Sequence, residues 1–210
     1  MANDNDPRVS CYLIILPNDA TSDETPVTVK FQTMPERITD TKSAAFDDAR
    51  IIGRSSPLKT YQFSSARKIN LTLEFFASLE SEDLDATTNG ANNVKKTVNT
   101  LRALVNPNYT SSVIQRPRKC LVRVGDNIAL IGFCMHVTVT YRGDYPWELN
   151  PYLAHYASVN LSFEDTGEKV YSFDDILAGK DFMDASTDAS KAFDNSIAAA
   201  NDANAAIGRF

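Results

Sequence analysis

Three cysteines, Cys11, Cys120 and Cys134, are all that this 210-residue chain contains, an odd number spread far apart. That excludes a disulfide framework and a close metal-ligand pair, and a reducing compartment suits it. Histidine is scarcer still. His136 and His155 lie in different strand patterns with no carboxylate or thiol at ligand spacing, so no metal site is expected. Glycine numbers eight, and no nucleophile elbow, phosphate loop, dinucleotide fingerprint or zinc-protease motif occurs. Basic residues are outnumbered, 21 against 27, for a net charge of −6. A chain that wraps nucleic acid needs the opposite surplus. No apolar run approaches membrane-spanning length, and the first residues, Met1 to Asp6, are polar and acidic where a signal peptide is basic and then apolar. The expectation is a soluble protein that is not exported by the usual route, so Asn70-Leu71-Thr72 carries no meaning as a glycosylation site.

What the chain has is alternation. From about residue 9 to 165 the period is two, the mark of strands with one buried and one wet face. Residues 9–16 form a short apolar run, and Val27, Val29 and Phe31 alternate with polar neighbours before Pro35. Ile69, Leu71, Leu73 and Phe75 alternate with Lys68, Asn70, Thr72 and Glu74, and Ala157, Val159, Leu161 and Phe163 do the same with Ser158, Asn160, Ser162 and Glu164. The longest signal runs from Ala129 to Tyr141, where every odd position is apolar or aromatic, predicting one strand of roughly 40 Å at 3.3 Å per residue that bends or projects beyond its sheet. Cys120, Val122 and Val124 precede it across Gly125-Asp126-Asn127, a hairpin turn. Residues 40–56 have weak periodicity and read as a long excursion.

One amphipathic helix interrupts the strands, from Asn92 to Val105, with Val94, Val98, Leu101 and Val105 on one face and Asn106-Pro107 as its stop. After Thr166 the composition changes. Residues 178–210 hold ten alanines and no proline, with a stripe through Phe182, Ala189, Phe193, Ile197, Ala200 and Ile207 that predicts one or two helices from about Asp184 onward. That stripe is thin, and a helix in water depends on the face it packs, so the segment must dock on its own β body or on a neighbour. The expected fold is therefore mainly β (α+β): an antiparallel barrel or sandwich with one inserted helix and a C-terminal helical extension.

Candidate chemistry is sparse. Acidic pairs such as Asp47-Asp48, Glu82-Asp83 and Asp174-Asp175 read as solvated charge or helix starts. Tyr145, Trp147, Tyr152 and Tyr156, around Pro146 and Pro151, form an aromatic loop over residues 145–156. Rings packed on the end of the barrel explain it. A stacking platform for a sugar is the alternative, whereas Asp144 and Glu148 would repel a phosphate backbone. No catalytic residue and no cofactor is expected, and the chain does not read as an enzyme.

Residues 31–36 (Phe-Gln-Thr-Met-Pro-Glu), 51–61 (Ile-Ile-Gly-Arg-Ser-Ser-Pro-Leu-Lys-Thr-Tyr) and 67–75 (Arg-Lys-Ile-Asn-Leu-Thr-Leu-Glu-Phe) follow one another in a telling order. After them come the helix with its Asn106-Pro107 end, Arg116-Pro117, the Gly125-Asp126 turn, the long strand and the closing strand to Glu164. Over residues 9–166 this succession resembles the tube-like baseplate proteins of contractile bacteriophage tails and the tube proteins of related injection systems. The resemblance implies a tail-tube-like β domain over residues 1–170 and a helical docking extension over residues 171–210. It implies a structural virion protein assembled in the host cytoplasm, forming a hexameric ring in the baseplate. Such a ring joins the tail tube to hub or wedge proteins, and possibly the sheath, around a channel that DNA crosses without specific binding; no membrane is involved. Some relatives in that group end in a peptidoglycan-binding module. This chain has the Ala/Asn/Asp-rich segment there instead, so its tail is expected to reach a neighbouring ring, sheath or wedge protein. Subunit or partner contacts are expected at Arg54, Pro57, Tyr61, Phe133, Met135, Phe182, Phe193, Ile197 and Ile207.

Overall fold

The computed structural model describes residues 11–17, 26–77, 90–110, 113–149 and 152–188. Thirteen strands and two named helices follow in order: β1 (Cys11–Ile15), β2 (Val27–Lys30), β3 (Ile38–Thr41), β4 (Ala44–Ala49), β5 (Leu58–Ser64), β6 (Lys68–Phe76), α1 (Gly90–Ala103), β7 (Asn108–Thr110), β8 (Val113–Gln115), β9 (Lys119–Val124), β10 (Ile128–Thr140), β11 (Trp147–Leu149), β12 (Tyr152–Ala154), β13 (Tyr156–Asp165) and α2 (Phe173–Leu177). A further helix covers residues 180–188. The fold is mainly β.

Seven strands make one antiparallel sheet in the order β2-β1-β9-β10-β13-β6-β3. Period-two alternation works as expected in β6 and β13, where Ile69, Leu71, Leu73, Phe75, Val159, Leu161 and Phe163 are buried. Each such large side chain contributes about 1.5–3 kcal/mol on leaving water. The sheet curls until its two ends nearly meet. Beyond β2, the Phe31 amide donates to the Cys11 carbonyl of β1 at 3.1 Å. One residue later, Gln32 Oε1 accepts from the Phe76 amide at the end of β6, 2.7 Å away. A side chain therefore bridges the seam where a strand pair would close a full barrel.

Helix α1 fills the curl. Val94, Val98, Leu101 and Leu104 are buried in the same core as β1, β2, β6, β9, β10 and β13. Their three-four spacing places them on one helix face. The helix ends two residues before the predicted Val105, which is partly exposed, and Asn106 donates from Nδ2 to the Arg102 carbonyl at 3.1 Å.

The long strand departs from its pattern. Alternation predicts Ala129 through Tyr141 with all odd positions inward, but Leu130, Gly132 and Cys134 are buried, while Ile131 faces the small cluster of Ile14 and Leu121 on the other side of the sheet. A bulge at Met135 then shifts the register, since Cys134 opposes Phe163 and His136 opposes Ser162. Past it, Val137 and Val139 pack on the main core. One extra residue exchanges the two faces of everything after it.

The excursion over residues 40–56 is corrected too. It holds the end of β3, which pairs with β6, and the first strand and the turn of a hairpin of β4 and β5. Three structured pairs went unforeseen: that hairpin, β7 with β8, and β11 with β12. The C-terminal helices begin earlier than Asp184, because Ser172 caps α2. Its hydroxyl accepts from the Asp175 amide at 3.2 Å, and the Asp175 carboxylate accepts from the Ser172 amide at 3.0 Å. This reciprocal box satisfies two orphan donors. Phe193, Ile197 and Ile207 lie outside the described residues, as do Ala189, Ala200 and the acidic stretch 80–89.

Candidate subunit interfaces

The outer face of the sheet is divided. Over β1, β9 and the first half of β10 it is apolar apart from Lys119 and Arg123, and the C-terminal segment lies against it. Ala185 is buried in a cleft with Ala129, Ile131, Arg67 and Tyr171, and the Arg123 guanidinium sits 5.9 Å from the centre of the Phe182 ring. Ion pairs fasten the segment. Arg67 donates from Nη1 to Asp181 at 3.1 Å, and Lys169 reaches Asp184 at 3.7 Å and Asp188 at 3.1 Å. Arg67 also grips Asp40 with two nitrogens at 2.6–3.0 Å. The Asp40 hydrogen bond holds the guanidinium above its ordinary pKa. The expectation that the tail reaches a neighbour is thus corrected for its first part. Residues 181–188 dock on the chain's own sheet, because Arg67, Arg123 and Lys169 offer their acids and Phe182 matching partners.

Over β3, β6, β13 and the second half of β10 the outer face is bare and polar. Register sets its side chains in lateral rows, Thr39-Asn70-Ser162-His136 and then Thr72-Asn160-Thr138. Thr72 donates to Asn160 and Thr138 bonds His136 Nε2 at 2.8 Å, while Lys68 pairs with Glu164 at 3.3 Å. His136 occupies the wet face, as expected, by way of the bulge.

Two margins of this half-sheet are open. Strand β9 accompanies β10 only as far as Phe133, so among the described residues no strand lies on that side of residues 134–140. On the far side β3 covers β6 only from Lys68 to Leu71 and is itself an edge. Unpaired edges of this kind attract another chain.

The β4–β5 hairpin leaves the sheet altogether. Of its strand residues only Ala45 is even partly covered. Its root is tied by the Ser65 amide donating to the Ser43 carbonyl at 2.7 Å. Phe46 and Tyr61 face each other across the strands, centroids 5.8 Å apart, and these rings and Phe63 are 56–59% exposed. Ile51, Ile52 and Arg54 form the tip, with Pro57 leading into β5. A two-stranded hairpin is marginal by itself in water. Of the predicted contact residues, the structure brings Arg54, Pro57 and Tyr61 together here. Met135 is exposed on the bulge, Phe133 is half-buried under the Arg116 guanidinium at 5.4 Å, and Phe182 is taken by Arg123.

Two rings of the aromatic loop, Tyr145 and Tyr156, turn inward. Tyr145 stacks on buried Tyr156 at 4.3 Å, Phe76 abuts both, and Arg142 lies over them. Tyr156 donates to Glu74 Oε1 at 2.8 Å. Burial first, and then that carboxylate, raise its pKa. Trp147 tilts against Tyr141 at 57° and, like Tyr152, stays exposed. All three cysteines are buried free thiols. Burial pushes Cys120 up to about 12 and Cys134 up to about 11, which makes them poor nucleophiles. Among the described residues no cluster is suited to hold a metal ion, and no helix is long and apolar enough to cross a membrane.

These features define a class: a curled antiparallel sheet plugged by one helix, with open margins and a projecting hairpin. No known protein family matches the chain, and no curated protein does. Among solved structures it is similar to the SPP1 Dit (gp 19.1) protein, described as a paradigm of the hub adsorption apparatus in phages that infect Gram-positive bacteria. The likeness has 12% identity and a TM-score of 0.35, over 64% of this chain and 44% of that one. The chain thus spans less than half of that protein's length, a likeness too slight to define a family.

Proposed function

We propose that this chain is a structural protein of a phage tail that forms a hexameric ring in a contractile baseplate, joining the tube to hub or wedge proteins around a channel for DNA. The observation that carries the reading is the pair of open margins on the half-sheet, β10 beyond Phe133 on one side and β3 on the other. They lie at opposite ends of one face, so copies joined margin to margin extend the sheet head to tail, and such an interface closes into a ring when its rotation permits. The polar rows then form the channel wall. They present mainly hydroxyls and amides, with Lys68 beside them paired and Arg37 a further cation along these rows, so a passing phosphate backbone finds few contacts. The succession of motifs from residue 31 to residue 164 supports the same reading. In this role the chain does no catalysis; its work is self-association and docking.

Electron microscopy of the purified chain, alone and with tail tube protein, tests this. Closed six-fold rings with an open centre are expected. Monomers under all conditions, with Trp147 fluorescence quenched by a sugar, would overturn the reading in favour of a glycan-binding module.

A further inference from the structure

Two surfaces of the chain are left bare by everything described above. One is the hairpin, with Phe46, Tyr61 and Phe63 exposed and, at its tip, Arg50 and Arg54 without an ion pair among the described residues. The other is the outward face of α2. Phe173 and Leu177, four residues apart on one side of that helix, are 81% and 78% exposed, so the chain's own hairpin does not cover them. Between them in sequence is Asp174, whose carboxylate has no cation among the described residues, while the neighbouring Asp175 is engaged by Ser172 and Lys180.

We propose that the Phe173–Leu177 face of α2 is the seat for the β4–β5 hairpin of a second copy of this chain. This deepens the ring reading and rests on it. The surfaces match at the hairpin's tip, where exposed Ile51 and Ile52 stand beside Arg50 and Arg54 as Phe173 and Leu177 stand beside Asp174, although Asp47 further down the hairpin is acidic too. The wider balance agrees. Residues 168–188 hold six acids, Glu168, Asp174, Asp175, Asp181, Asp184 and Asp188, against Lys169 and Lys180. The two surfaces also differ from each other, so the contact is heterologous and propagates from copy to copy instead of stopping at a dimer. The root of the hairpin and the docked segment share one fastening, Arg67, three residues after β5 and bonded to Asp181. The element that gives the contact and the element that receives it are thereby held to one body.

The test is a charge exchange read as the concentration at which the full chain assembles, by sedimentation velocity. Arg54→Glu alone and Asp174→Arg alone are each expected to raise that concentration by roughly tenfold, and the two together to return it toward the parent value. Phe173→Ser with Leu177→Ser, which changes only exposed positions, is expected to raise it at least as far. An Asp174→Arg chain that assembles like the parent, or a double variant worse than either single one, overturns the proposal while leaving the ring intact. A parent chain that never assembles overturns the ring reading as well.

Discussion

Replacing Gly132 by alanine probes the point where the sheet changes partners. Gly132 opposes Cys120 of β9 on one side and Asp165 of β13 on the other, and it is the last residue but one at which β10 is paired on both sides. A Cβ built there lies 2.3 Å from the Glu164 carbonyl oxygen and 2.9 Å from its carbon. Comfortable contact needs about 3.5 Å, so β10 and β13 must part by roughly 1 Å. The obstacle is backbone, and no side chain can rotate away to make room. Overpacking of this kind costs about 1–3 kcal/mol, and stretching one or two ladder hydrogen bonds adds about 1 kcal/mol each, giving a loss of about 2–4 kcal/mol. Gly125→Ala is the control. Gly125 has φ +56° but nothing within 4 Å of an added Cβ, so it tests conformation without crowding, at about 1–2 kcal/mol. Urea denaturation of both variants separates the terms through their midpoints. A Gly132→Ala chain within about 0.5 kcal/mol of the parent would refute the reasoning that two ladders clamp this residue.

Leu101→Ala empties a fully buried position on α1 and is expected to cost about 2–5 kcal/mol in urea melts; a loss below about 1 kcal/mol would show that α1 does not plug the sheet. Arg67→Ala removes the shared fastening, so amide exchange across residues 180–188 is expected to rise roughly five- to tenfold at neutral pH, and unchanged exchange would mean that the apolar contacts suffice. The thiols set an alkaline limit. Cys120 and Cys134 have folded pKa values raised from 9.0 to about 12 and about 11, so the unfolded chain loses these protons first. Their contribution is complete below pH 9 and is lost as pH climbs toward 11–12. A Cys120→Ala, Cys134→Ala chain is expected to show a shallower fall in stability over that window than the parent, and equal slopes would contradict it.

Sequence alternation revealed those strands whose two faces have different fates. β6 and β13 were legible because one side meets the core and the other meets water along their whole length. β10 was legible as a strand but not in its facing. Its first half is covered on both sides, by core and by the C-terminal segment, so apolar residues at Leu130 and Ile131 carry no parity, and nothing local announces the bulge at Met135. The β4–β5 hairpin was missed for the opposite reason. Both its faces are exposed, so Ala44 to Ala49 has no alternation to read. The start of α2 is readable in the sequence, since Asp174-Asp175 fits a helix start and Ser172 and Asp175 stand at capping-box spacing. Of the expected contacts, Arg54, Pro57 and Tyr61 came from the order of motifs and fall on the hairpin. Phe182 came from a helical stripe and is spent on the chain's own Arg123.

The central claim is that the β body leaves its hydrogen-bonding margin open and completes it with copies of itself. Hydrogen–deuterium exchange of residues 134–140 and 38–41, measured at rising protein concentration, tests it most directly. The amides there that β13 and β6 do not engage are expected to exchange fast in dilute solution and to gain protection of a hundredfold or so as chains associate. Protection that is the same at every concentration, whether high or low, would contradict the account.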